Sequence, residues 1–255
     1  MATSSPRDSI LLIGASGRTG ICVLRYLCAA SVPVIACVRR ANALPQEPRL
    51  TQAEVAITNL EQPGTFAPLI ERAAHVIYLA GSARNSLSPG AWQVEVESLA
   101  ACIAFAERSG FEGRWIYAGC TDPDPAHGIT WAESRWREMK REAEQAIIAS
   151  ANLNYFILRS GRVTAPIGSE PRVRVSQGST GAADAEVPCN VLAFLMTGVA
   201  LAGAAYRSET TIRVDPAGGG MRLQEAVQSF AHLRRDYSSQ ATAAANPFKA
   251  TVHRR

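Results

Sequence analysis

Gly14, Gly17 and Gly20 stand three apart directly after the apolar run at residues 10–13, and the chemistry such a turn performs is holding a pyrophosphate. Only a residue without Cβ lets the chain turn tightly at Gly14, lets backbone approach a pyrophosphate at Gly17, and lets helix and strand touch at Gly20. A helix starting near Arg18 aims its free N–H groups at the phosphates, and Ser16, Arg18 and Thr19 complete the loop. Glycines alone also fit an ordinary turn, so the neighbouring elements decide. Ile21, Leu24, Leu27 and Cys28 recur at helical spacing and residues 34–38 read as a strand, which gives the strand, helix, strand order of a mononucleotide-binding unit.

That second strand runs into Arg39 and Arg40. About twenty residues past the glycines the chain meets the adenosine ribose, where an acidic side chain would take the 2′-hydroxyl of NAD. Two guanidiniums suit a 2′-phosphate instead, because arginine offers planar, permanently charged donors. The cofactor implied is NADP(H); the alternative is that the pair merely solvates a strand end.

To position these groups the chain needs an alternating scaffold. Strands are predicted at residues 54–57, 75–80, 114–117, 155–158 and 211–214, and helices at 65–72, 91–108 and 133–150, the second stopped by Gly110 as its C-terminal cap. This is an α/β pattern, a single doubly wound parallel Rossmann sheet with both faces covered. Ligands in such sheets lie beyond the carboxyl ends of the strands, so the loops after Ile13, Val38, Leu79, Tyr117 and Leu158 are where chemistry is expected. Residues 160–188 and 216–235 leave the alternation and are expected to form a small C-terminal substrate lobe within one domain spanning 1–237. Residues 238–255 read as a mobile tail.

At 255 residues the chain can bury a full core, and a net charge of +4 with dispersed lysines and arginines offers no nucleic-acid face. Six cysteines without short paired spacings fit reduced, buried thiols, and no cluster has metal-ligand spacing. The polar first nine residues lack a signal core, which points to a cytoplasmic protein. Residues 191–205 are apolar but fall short of the roughly twenty a membrane helix needs, so they read as a buried helix, or one at a homodimer contact.

Taken together, the glycine loop, the Arg39 and Arg40 pair, Leu79-Ala80-Gly81, Lys140 followed by Glu144, and the run from Asn154 to Arg159 resemble the atypical short-chain dehydrogenases/reductases, specifically their NmrA-like and flavin-reductase-like NAD(P)-binding group. The resemblance spans residues 10–214. It implies that the glycine loop binds pyrophosphate, that the basic pair selects NADP, that the chain at Leu79, Ala80 and Gly81 runs beside the cofactor, and that Lys140 holds the nicotinamide ribose. Asn59 stands where an aspartate usually lies beside the adenine.

The reaction centre departs from that pattern. If Lys140 is the family's lysine, the tyrosine four residues before it is Trp136, and the serine pair after the preceding strand reads Gly119-Cys120, with Thr121 next. An indole N–H can donate a hydrogen bond but cannot usefully release a proton near neutral pH. Asp122, Asp124 and His127, in the proline-rich loop after Cys120, are candidate replacement acids or binders of a cationic nitrogen, or else plain turn chemistry. Lys140 could equally be a solvated helical lysine paired with Glu144, and Trp131 and Trp136 could stack on a substrate or pack in the core.

Three functions fit: an NADPH-dependent reductase of a small imine, conjugated or flavin-like substrate; a cyclase or isomerase that keeps the nucleotide as a wall; and a regulator that senses NADP(H).

Overall fold

The structure, a computed structural model, describes residues 8–81, 87–121, 128, 130–178, 186–202, 207–215 and 219–232. In chain order its elements are β1 (Ser9–Ile13), α1 (Arg18–Ala29), β2 (Val34–Val38), β3 (Glu54–Ile57), α2 (Ala67–Glu71), β4 (Ala73–Tyr78), α3 (Ser98–Arg108), β5 (Arg114–Cys120), α4 (Trp131–Ala149), β6 (Asn154–Ser160), β7 (Val163–Thr164), β8 (Val173–Gln177), β9 (Val187–Pro188), α5 (Cys189–Leu201), β10 (Ser208–Val214) and α6 (Leu223–His232).

Eight strands form one sheet in the order β3-β2-β1-β4-β5-β6-β10-β8. All pairings are parallel except β10 with β8. Alternation along β1 explains why it lies at the centre: Ile10 and Leu12 enter the core under α1 and α5, while Leu11 and Ile13 enter the core on the other face, with residues of α2, α3 and α4. The expected doubly wound sheet is present.

Element bounds shift where local chemistry overrides periodicity. Residues 65–72 divide into a 3₁₀ turn, Pro63–Phe66, and the short α2, with a proline near the start of each. A proline there has no N–H to lose, so it starts a turn readily but cannot sit inside a longer helix. Residues 91–108 open with a π turn, Gln93–Glu97, before α3. Gly110 stops α3 with φ +63°, as expected of a left-handed cap. The strand predicted at 114–117 continues to Cys120, because Gly119 and Cys120 still pair with Arg159 and Ser160.

The expected small lobe needs correction in part. Val173–Gln177 is the antiparallel edge strand of the main sheet, and α6 packs on α5, with Phe156 and Phe230 meeting edge-on at 5.2 Å. Those parts of the two segments extend the sheet and its cover. Only β7 and β9 form a separate two-stranded ribbon. The apolar run after residue 190 lies in α5, buried between α1, α6 and the sheet. Among the described residues no helix is long and apolar enough to cross a membrane, no group of His, Cys, Asp or Glu could hold a metal, and all six cysteines are free and buried.

Candidate functional site

The β1–α1 turn is built of backbone. Gly14 takes φ +91°, and a Cβ there would lie 2.6 Å from the Ala80 nitrogen, so the ends of β1 and β4 touch at this point. Leu79 N–H donates to the Ile13 carbonyl at 2.8 Å and closes that seam. Gly17 is the N-cap of α1, its N–H donating to the Gly14 carbonyl at 3.0 Å, and it brings no side chain to the helix end. A Cβ on Gly20 would overlap the Gly14 carbonyl, so this glycine lets the helix meet the turn itself rather than the strand. Ser16, Gly17 and Arg18 are exposed, Thr19 is half-buried, and the first turn of α1 holds no acidic residue. Open N–H groups, exposed glycine backbone and absent negative charge fit a pyrophosphate. Arg18 Nη1 also donates to the Val163 carbonyl at 3.1 Å, tying α1 to β7.

Arg39 and Arg40 are exposed just beyond β2. Asn59 lies two residues past β3, half-buried, with Oδ1 accepting the Glu61 N–H at 3.0 Å. Because Val38 pairs with Ile57, the topology brings the arginines and Asn59 to adjacent strand ends. Their spacing in sequence could not show that.

The opposite end of the site is built of side chains. Thr130 caps α4 by accepting the Glu133 N–H at 3.2 Å, so the helix begins two residues earlier than its apolar pattern suggests. Met139, Lys140, Ala143, Glu144 and Ile147 then form its buried face. The Lys140 ammonium donates to the Tyr117 hydroxyl at 3.1 Å and lies 3.1 Å from Glu95 Oε2, and Glu95 is only 1% exposed. The Tyr117 and Trp136 rings flank that ammonium at 4.9 and 5.9 Å. Burial works against the charged ammonium, but Glu95 and Tyr117 outweigh it and raise the Lys140 pKa. Burial likewise raises that of the Tyr117 phenol. At neutral pH the cluster is therefore one ion pair beside a neutral phenol.

A second buried group lies beside it. Glu144 accepts the Cys120 N–H at 3.2 Å and pairs with Arg159 Nε at 2.7 Å, and Arg159 also reaches Glu209 at 2.7 Å. A Cβ on Gly119 would fall on the Glu144 carboxylate, so glycine there admits the approach. Desolvation raises the Glu144 pKa against the opposing pull of Arg159. Glu144 is thus taken up by Arg159 of β6, and Lys140 by Glu95, in place of the helical pairing of Lys140 with Glu144 that their spacing suggested.

Among the other sequence-predicted residues, Cys120 is buried at the end of β5 and Trp136 is half-buried with its Nε1 enclosed and unbonded. Trp131 is 70% exposed at the start of α4. Ala80 is buried and Leu79 half-buried against the glycine turn, and Gly81 is exposed. Asp122, Asp124 and His127 lie outside the described residues. Sequence reasoning missed Glu95, Tyr117 and Glu209. Glu95 lies between Gln93 and Glu97 in the chain and so carried no signal of burial, and Tyr117 looked like any core aromatic.

The model of a family described as NAD(P)H-binding matches residues 14–200. No curated protein sequence matches the chain significantly. Among solved structures, the oxidoreductase ylbE from Lactococcus lactis superposes with a TM-score of 0.72 at 16% identity, over 88% of this chain and 97% of that one. A wide-type short-chain dehydrogenase/reductase from Veillonella parvula, in complex with NADP, gives 0.64 at 14% identity over 83% and 96%. ChuY, an anaerobilin reductase from Escherichia coli O157:H7, gives 0.61 at 22% identity over 82% and 98%. Family match, sheet order and glycine cradle agree, and the chain belongs to the NAD(P)H-binding family, with the fold of the atypical short-chain dehydrogenases/reductases.

Proposed function

We propose that the protein is an NADPH-dependent reductase of a small organic molecule that accepts hydride without a tyrosine acid, such as an imine or iminium, a conjugated system or a flavin-like ring. The observation that carries this reading is the contrast at α4: Trp136 occupies the tyrosine position, and Lys140 spends its charge on Glu95 and Tyr117, while the phosphate cradle is complete. Bound NADPH supplies the hydride. The chain's residues supply the rest: N–H groups at the start of α1 hold the pyrophosphate, Arg39 and Arg40 hold the 2′-phosphate, and Asn59 faces the adenine. The Ala80-Gly81 edge runs beside the nicotinamide half. A reduced ketone would need a proton from a positioned donor, whereas an iminium needs none, and losing such a donor typically costs roughly 10² to 10⁴ in rate. The fold shared with an anaerobilin reductase is compatible with a conjugated acceptor.

The test is turnover against a panel of cyclic imines, conjugated carbonyl compounds, linear tetrapyrroles, flavins and simple ketones, with NADPH oxidation and product mass followed together. One NADPH consumed per product gained of two hydrogens, on any class except simple ketones, is the expected result. Rapid reduction of simple ketones would overturn the reading. So would many turnovers without NADPH oxidation, the behaviour of a cyclase or isomerase, or binding without turnover, the behaviour of a sensor.

A further inference from the structure

Lys140 matches the family's ribose-binding lysine in sequence, yet three observations place its charge elsewhere. Its ammonium sits 3.1 Å from both Glu95 and Tyr117, in a position where the whole lysine is 8% exposed. Trp136, in the position of the family's tyrosine, lies one helical turn before it with its ring centroid 5.9 Å from the ammonium, so an indole stands where the family has a phenol. Glu95 in turn abuts the cofactor edge: a Cβ on Gly81 would lie 2.7 Å from Glu95 Oε1 and 3.1 Å from Oε2. Glu95 belongs to a π turn, a geometry that recurs where a helix is bent to aim one side chain.

We infer that Lys140 has been withdrawn from ribose binding and that, with Glu95, it is a positioning element: Lys140 holds the Glu95 carboxylate, and the carboxylate supports the backbone at Gly81 along which the nicotinamide half lies. The line runs from Tyr117 on β5 through Lys140 on α4 and Glu95 in the π turn to Gly81 after β4. The side chains of Tyr117, Lys140 and Glu95 are all buried, and Glu95 lies close against the backbone of Gly81. The Lys140 ammonium then directs two of its three N–H groups at Glu95 and Tyr117, with the Trp136 ring 5.9 Å away. This inference rests on the cofactor-binding part of the function proposed above and not on turnover.

The experiment measures binding of NADPH and of 2′,5′-ADP, which carries the adenine half alone, together with melting temperature. Lys140→Met leaves Glu95 buried without its counter-ion and is expected to lower the melting temperature; Glu95→Gln with Lys140→Met removes both charges and recovers most of the loss. Relative to 2′,5′-ADP, NADPH affinity is expected to fall by about tenfold in Glu95→Ala, and by no more than a further twofold or so when Lys140→Met is added, because the lysine acts only through the carboxylate. A further fall of about tenfold or more when Lys140→Met is added to Glu95→Ala, with 2′,5′-ADP unchanged, would show that the ammonium touches the ribose itself and would overturn the inference. The positioning role has its own readout. Gly81→Ala is expected to weaken NADPH by about tenfold in the intact protein but by less than about threefold in the Glu95→Ala, Lys140→Met background, where the colliding carboxylate is gone. Equal losses in both backgrounds would overturn it. A protein that reduces nothing on the panel but gives these ratios would sink the reductase reading and leave this one standing.

Discussion

The two ends of the cofactor site are made of different materials. At the β1–α1 turn the working groups are backbone N–H groups and the shape left by absent side chains, with the turn itself exposed. Around Lys140 the working groups are long side chains from β5, α4 and the π turn, buried and paired. Backbone can be specified by glycine spacing, since only glycine fits. A buried ion pair must instead be assembled by the fold, because each charge is tolerable only once the other is in place. The first end therefore depends on single residues and the second on the assembled fold.

The sharpest way to break this comparison is at Gly20. Gly20→Ala puts a methyl onto the Gly14 carbonyl. It is expected to cost about 3 to 5 kcal/mol in unfolding free energy and to abolish measurable NADPH binding in a titration, as overpacking against backbone has no flexible neighbour to yield. If NADPH binds normally, the turn is not the grip.

At the other end, Arg159→Ala leaves Glu144 buried without its counter-ion and is expected to cost about 3 kcal/mol in denaturant unfolding while NADPH affinity changes little. A loss in binding comparable to that of Gly20→Ala would erase the distinction between the two ends.

Alkaline pH should loosen both ends together. Burial raises the thiol of Cys37, on β2, and that of Cys102, on α3, from 9.0 to about 12, and raises that of Cys22, on α1, to about 11. The Lys140 and Tyr117 pKa values are raised as well. Each of these groups keeps its proton longer in the folded state than in the unfolded one. Their stabilising contribution is therefore whole below the unfolded value and disappears as pH rises through the folded one. Near about pH 10.5 the two most shifted thiols should each cost about 2 kcal/mol, and the melting temperature should fall steadily above about pH 9. Cys37→Ala with Cys102→Ala should flatten that fall; an unchanged slope would remove the thiols as its cause.

Smaller still is the adenosine side. Arg39→Ala with Arg40→Ala is expected to reduce the preference for NADPH over NADH by about 1 to 3 kcal/mol, read as a change in the ratio of the two dissociation constants. Equal affinities in the intact protein would remove the arginines from the argument. The smallest effect is expected from Trp136→Tyr, which should yield weak ketone reduction at most, because Lys140 remains held by Glu95 and cannot assist the new phenol.

Much of the fold could be read in the chain because periodicity reports burial. The apolar alternation and the helical spacing marked most strands and the helices α1, α3, α4 and α5 near their observed places, and the glycine spacing located the β1–α1 turn. Bounds failed where one residue outweighed the pattern, as with Pro63, Pro68 and the Thr130 cap. The edge strand β8 was missed because its pairing with β10 is antiparallel and its alternation covers only five residues. Glu95 and Tyr117 were missed for another reason. What distinguishes them is an ammonium 45 and 23 positions away.

Sequence by itself determined a tight glycine turn after the first strand and two cations at the end of the second. Those depend on the absence of a Cβ and on permanent charge, both properties of single residues. Tertiary structure alone decided what Lys140 does. A side chain of that length can reach many partners, and those it meets are set by which elements the fold brings within 3.1 Å of its ammonium.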